Sequence, residues 1–176
     1  MLLVRSSSSL GLVPFLCLMW PAASQQIGAQ TFRTLYTFDA SQGVSPSGNL
    51  AMGRNGVIYG TTGEGGAYTQ CPENDGLGCG TAYSLTPPAS PGGAWTEAVL
   101  WSFGGTPGDT YFPYGVTMGR DGVLYGNGGG GCGAIFSLTP PASPGGAWTE
   151  AVLYQFKCAP DAANPYQLVI DGNGVL

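Results

Sequence analysis

The chain has 176 residues, of which 31 are glycine and 14 proline, about a quarter in all, and it carries a net charge of −5. So much Gly and Pro excludes a helical bundle, because both residues break regular helices, while 43% hydrophobic and only 9% charged residues exclude a disordered chain, which is poor in apolar and rich in charged side chains. What remains is a fibrous Gly/Pro repeat or a β-rich repeat whose turns consume the glycines.

In chain order, the first element is an export signal over residues 1–24. Arg5, the apolar run Leu10 to Trp20 and the small-residue exit Ala22-Ala23-Ser24 have the pattern of a cleaved secretory signal. The run is short of the roughly 20 apolar residues a membrane span needs, and Cys17 sits inside it behind bulky Leu16, unlike a lipoprotein cysteine. The mature protein is therefore expected to be secreted or held at the cell surface, with no membrane insertion after cleavage. Without Arg5, four basic and ten acidic residues remain, a net charge of −6, which disfavours nucleic acid and anionic membranes as partners. Four cysteines also remain, Cys71, Cys79, Cys132 and Cys158. An even number in an exported protein favours disulfides. Three pairings are open; Cys71 with Cys79 is preferred because the two flank one loop, leaving Cys132 with Cys158. With no His and no C-x-x-C, no metal site is expected.

After a lead over residues 25–33, an internal repeat organises the chain into a first repeat at 34–99, a second at 100–152 and a partial third at 153–176. The seventeen residues Ser84 to Leu100 recur unchanged at Ser137 to Leu153, an offset of 53. An aromatic strand opens each repeat at Leu35–Phe38, Leu100–Phe103 and Leu153–Phe156. A hairpin follows, with Asn55-Gly56, Asp121-Gly122 and Asn173-Gly174 as expected type I′ centres, where both residues need φ > 0. Its second strand is Val57-Ile58-Tyr59 or Val123-Leu124-Tyr125. Between Gly60 and Gly80 the first repeat carries an insertion with two cysteines; the second has the short Gly-rich run Tyr125 to Gly133, which lacks the G-K-[ST] ending of a phosphate loop and reads as a connector. The third strand is Thr81–Leu85 or Ala134–Leu138. A Pro-rich connection leads to the fourth, Trp95–Phe103 or Trp148–Phe156, since proline cannot donate to a ladder. Four antiparallel strands in about 50 residues match one blade of a β-propeller. The expected class is all-β, with four-stranded antiparallel blade repeats in a β-propeller-like array that is incomplete in this chain. Two repeats and part of a third cannot close a ring of four to eight blades, so a longer product, or a ring closed by association, is expected.

The strand L-[YW]-x-F, the segment D-x-x-x-P-Y (Asp109 with Pro113-Tyr114, Asp161 with Pro165-Tyr166), the hairpin [DR]-[ND]-G-V-[LI]-Y-G and the strand G-[TA]-x-[YF]-S-L-T-P resemble the tandem GloVer (Gloeo/Verruco) repeats. Tyr59-Gly60-Thr61-Thr62 matches that family's Y-G-T-T. The second copy departs at Asn127-Gly128, and the first has Ser45-Pro46-Ser47 in place of the acidic approach to P-Y. The resemblance covers Thr34 to Leu176 and implies a secreted or surface-anchored bacterial protein, propeller-like, with no established activity.

Chemistry has few candidates. The absence of His removes the usual general base and the Ser/His/Asp arrangement. A carboxylate pair would have to come from Asp39, Glu64, Glu73, Asp75, Glu97, Asp109, Asp121, Glu150, Asp161 and Asp171. Several recur at equivalent positions, which fits a turn or cap better than a catalyst needed once, so no catalytic residue is assigned. No cofactor is expected; calcium is the one ion the Asp/Asn/Gly-rich turns suggest by composition, and they lack the D-x-[DN]-x-[DN]-G spacing. Aromatic residues at i and i+2 of the opening strands read as packing between repeats. Trp95 and Trp148, with Tyr114 and Tyr166, are the candidate stacking platforms for sugar rings. The expected role is a non-catalytic scaffold or binding module for extracellular polysaccharide or a surface protein. The alternative is part of a propeller-type enzyme acting on such a polysaccharide.

Overall fold

The computed structural model describes residues 32–72, 75–105 and 108–176. The export signal lies outside them, as does Glu73. Residues Thr34–Leu176 form one compact unit. It is all-β: eight strands make a single curled mixed sheet, a half-barrel, in the order β4-β3-β2-β1-β5-β6-β7-β8. They are β1 (Val44–Met52), β2 (Ile58–Glu64), β3 (Thr81–Thr86), β4 (Thr96–Ser102), β5 (Tyr111–Met118), β6 (Leu124–Gly129), β7 (Ala134–Thr139) and β8 (Thr149–Gln155). Each half of the sheet is an antiparallel meander, and the two halves meet where β1 and β5 run parallel, Asn49 opposite Gly115. Gly48, at φ +73°, is required there: a side chain would run into the Tyr114 carbonyl.

The hairpins divide into two kinds. Asn55 (φ 57°) and Gly56 (φ 77°) both adopt the left-handed conformation, as a type I′ turn demands. The other two do not, and correct the expectation. Gly122 and Gly174 are left-handed while Asp121 and Asn173 are not, and the N–H groups of Gly122 and Gly174 donate to the carbonyls of Gly119 and Asp171. This is a type I turn followed by a left-handed glycine. Local carboxylates favour it: Asp121 Oδ1 accepts from the Val123 N–H, and Asp171 Oδ1 from those of Asn173 and Val175.

The Gly-rich run after Tyr125 is not merely a connector. Leu124–Gly129 is a strand, with Gly126 through Gly129 buried. Glycine serves where another chain element approaches closely: a Cβ on Gly126 would strike the Phe136 ring, and one on Gly128 would lie 2.5 Å from Thr110 Oγ1. The first repeat makes the opposite choice. There the threonine is Thr62 on β2, bonded to Thr81 Oγ1 at 2.9 Å, and the glycine is Gly43, whose missing side chain leaves Thr62 its room. Asn127 likewise answers for Thr61. Thr61 Oγ1 donates to the carbonyls of Ser47 and Pro113, and Asn127 Nδ2 donates to the corresponding Pro165 carbonyl.

The core lies between the meanders, built on Phe103, Phe136, Leu124, Leu138, Val116 and Ala82. β3 and β7 are almost wholly buried, whereas β4 and β8, the ends of the sheet, contain no fully buried residue. No strand forms at Leu35–Phe38 or after Gln155 among the described residues. In the first case the equivalent segments β4 and β8 have a third strand to pair with, and Leu35–Phe38 has none.

Candidate functional site

Successive repeats meet through the same bonds, and these build the candidate site. The residue before each repeat proline is left-handed: Ser45 (φ 58°), Phe112 (φ 50°) and Asn164 (φ 52°). That twist points the Phe112 N–H at the Cys79 carbonyl (3.0 Å) and the Asn164 N–H at the Cys132 carbonyl (2.9 Å). Four residues before the proline stands an acceptor for the opening strand. Tyr36 donates to Gln42 (2.5 Å) and Tyr154 to Asp161 (2.9 Å), and the Trp101 indole faces Asp109 in the same way. Both groups are buried, and the indole works against the rise of the Asp109 carboxyl. The last aromatic of each of the first two opening strands packs on the third strand of its own repeat: Phe38 on Tyr83 (4.6 Å between ring centres) and Phe103 on Phe136 (4.9 Å). Of the two contacts, only Phe103 on Phe136 bridges the meanders, since Phe103 directly follows β4 and Phe136 lies on β7.

Along the seam between the meanders, Trp148 separates two hollows. One, of about 370 Å³, is lined by Tyr68, Val99, Trp101, Asp109 and Trp148. The other, of about 470 Å³, lies between the first two hairpins and is lined by Arg54, Tyr59, Met118, Arg120 and Trp148. The Trp148 ring stands 6.1 Å from that of Tyr59 and is half-buried, leaving a face available to a ligand. Trp148 lies just before β8 because the Pro-Gly-Gly turn ends there, and the same turn places Trp95 half-buried before β4. The two candidate tyrosines do not join the tryptophans: Tyr114 and Tyr166 stack on each other, 5.5 Å apart and 16° from parallel. The structure thus divides the four expected platform residues among three places.

Two carboxyl groups at this seam were not singled out by the sequence. Glu150 follows Trp148 by two residues in extended chain and so faces the same side. Burial, helped by the Asp109 charge, pushes its carboxyl up to about 7. Burial raises Asp109 as well, against the backbone N–H groups of Gly105, Thr110 and Gly104 and the Trp101 indole. Asp109 Oδ1 and Glu150 Oε1 are buried without hydrogen-bond partners. In the first repeat the equivalent Glu97 is raised by burial and then by Asp39, while the position of Asp109 is taken by the uncharged Gln42. Asp39, Asp121, Asp161 and Asp171 instead accept N–H groups of their own turns, and Asp161 is held ionised chiefly by the Tyr154 hydroxyl.

The sign of the pH dependence follows. Between about 4.5 and 7 the folded protein binds more protons at Glu150 than the unfolded chain, so raising pH through that window lowers stability. Because Glu150 is only half-buried, the cost is of order 1 kcal/mol after allowance for solvent screening. Melting temperature is expected to fall by about 2–4 °C between pH 5 and 8 on this account, and to fall less in Glu150→Gln. Parallel curves for the two proteins would refute this.

The cysteines pair as Cys71–Cys79 and Cys132–Cys158, with Cα separations of 5.6 and 5.2 Å, the preferred alternative of the three. Together with the finding that no helix among the described residues is long and apolar enough to cross a membrane, the disulfides are consistent with an extracytoplasmic protein. No group of three His, Cys, Asp or Glu among the described residues could hold a metal ion. Comparison of the chain with protein-family models, with curated proteins and with solved structures returns no match.

Proposed function

We propose that the protein is an exported tandem-repeat module, each meander a blade of a propeller-like array of the GloVer type, and that it binds extracellular polysaccharide at the Trp148 seam. The observation that carries the binding role is the half-buried Trp148 ring between two hollows, one of them edged by the polar pair Trp101 and Asp109. An aromatic face takes the apolar side of a sugar ring, and polar side chains at the edge of that face suit a ligand that supplies hydroxyl groups. The parallel adjacency of β1 and β5 and the recurrence of the same junction bonds support the blade reading. Catalysis is the weaker reading: the Glu150–Asp109 pair resembles a proton-sharing acid and base, yet the glutamate recurs as Glu97, also raised by burial, which fits a structural position.

Affinity electrophoresis through gels containing single polysaccharides tests the binding role. At least one neutral or acidic polysaccharide should retard the protein, and Trp148→Ala should weaken that retardation about tenfold, the equivalent of roughly 1.4 kcal/mol of lost ring contact. Retardation that is absent for every polysaccharide, or unchanged in Trp148→Ala, would sink the proposal. Circular dichroism of the variant separates lost binding from lost fold.

A further inference from the structure

Two arginines occupy one repeat position and behave differently. Arg120 donates from Nη2 to the carbonyl of Gly172, tying the second hairpin to the third. Arg54, one repeat earlier, has the backbone of Arg120 in the place corresponding to Gly172. It makes no such bond, and its guanidinium has no partner among the described residues. Where that tie would run, the seam stays open as the hollow of about 470 Å³. Trp148 and Tyr59 wall it on the apolar side, and Arg54 and Arg120 bring two positive charges against one negative charge from Asp121. The local sign is thus opposite to that of the whole chain. A planar guanidinium with a free edge, beside an aromatic face, is matched by a carboxylate carried on a sugar ring, since the fork of Arg N–H groups fits the two carboxylate oxygens.

We propose that the seam selects acidic polysaccharide, with Arg54 receiving the carboxylate of a uronate residue whose ring lies on Trp148. This rests on the polysaccharide reading above and names the ligand class for the same seam.

The probes are polygalacturonate and the same polymer fully methyl-esterified, which keeps the ring and removes the charge. Titrated with the full chain at low salt, the free acid should bind about tenfold or more tightly than the ester, the range of one charge-assisted pair, and the ratio should shrink as salt is added. Arg54→Gln should bring the ratio to about one, and Arg54→Lys should restore part of it. Equal affinity for acid and ester in the native protein, or a ratio that survives Arg54→Gln, would overturn the assignment of Arg54 while leaving sugar binding at Trp148 standing. Preference for a sulfated neutral glycan over polygalacturonate would also overturn the carboxylate assignment. Failure to bind any polysaccharide would remove both proposals together.

Discussion

Replacing Phe136 by alanine is expected to destabilise the protein by about 4 kcal/mol, within the range for emptying a core aromatic site. Phe136 is fully buried, and its ring packs against Phe103 with centres 4.9 Å apart. Phe103 directly follows β4, the last strand of the first meander, and Phe136 lies on β7 of the second, so the contact joins one meander to the other. The ring also lies over Gly126, where no Cβ fits, and the bonded pairs of β6 with its neighbours β5 and β7 hold that backbone in place. The void cannot close by a simple shift of one strand, which puts the expected cost toward the upper end. Urea denaturation measures it: the midpoint should fall while the slope stays constant. A loss below about 1.5 kcal/mol would mean that the junction can repack, against what is typical of tightly packed interiors.

Removing the Cys132–Cys158 bridge by serine substitution at both positions should cost about 3 kcal/mol, and removing Cys71–Cys79 less, because the loops closed span 26 and 8 residues and loop-closure entropy grows with length. The location matters as much as the length. Cys132 precedes β7, its carbonyl takes the Asn164 N–H, and Cys158 lies in the segment that leads to the Tyr114–Tyr166 stack. Loss of the bridge should therefore expose residues 157–176 to protease well before the rest of the chain unfolds, whereas loss of Cys71–Cys79 should open only the inserted loop. Equal effects of the two changes on thermal stability, with no early cleavage after Lys157, would contradict this.

The strands that were legible in the sequence were those with a strong local signal. Val57-Ile58-Tyr59 and Ala134–Leu138 announce themselves by composition, and Asn55-Gly56 by the two left-handed conformations it can adopt. Proline placed the connection before Trp95 and Trp148 correctly because a missing N–H donor is a local property. Leu124–Gly129 misled, since its glycines look like a loop until Phe136 and Thr110 are seen to need the space. The seam itself was half-legible. Trp148 stood out as an aromatic beside a turn, but its neighbours Tyr59 and Asp109 come from the preceding repeat and the junction loop. Their approach depends on how the repeats register in space, and no residue spacing encodes that by itself. The raised Glu150 was hidden for the same reason: recurrence marked Glu150 as structural, while its proximity to Asp109 appears only once the meanders join.

The exchange of threonine and glycine between the repeats sets a rule for recombining them. Moving β2 of the first repeat into the second would oppose Thr62 to Thr110, with two side chains in space for one; the reverse graft would oppose Gly43 to Gly128 and leave a hole. Chimaeras cut between the two members of a Thr/Gly pair, residues 43–62 or 110–128, should therefore fold poorly even though the downstream sequence is identical over seventeen residues. Those cut inside that identical stretch carry the Thr/Gly pair of each repeat intact, which makes Ser84 to Leu100 and Ser137 to Leu153 the natural crossover points for lengthening or shortening the array.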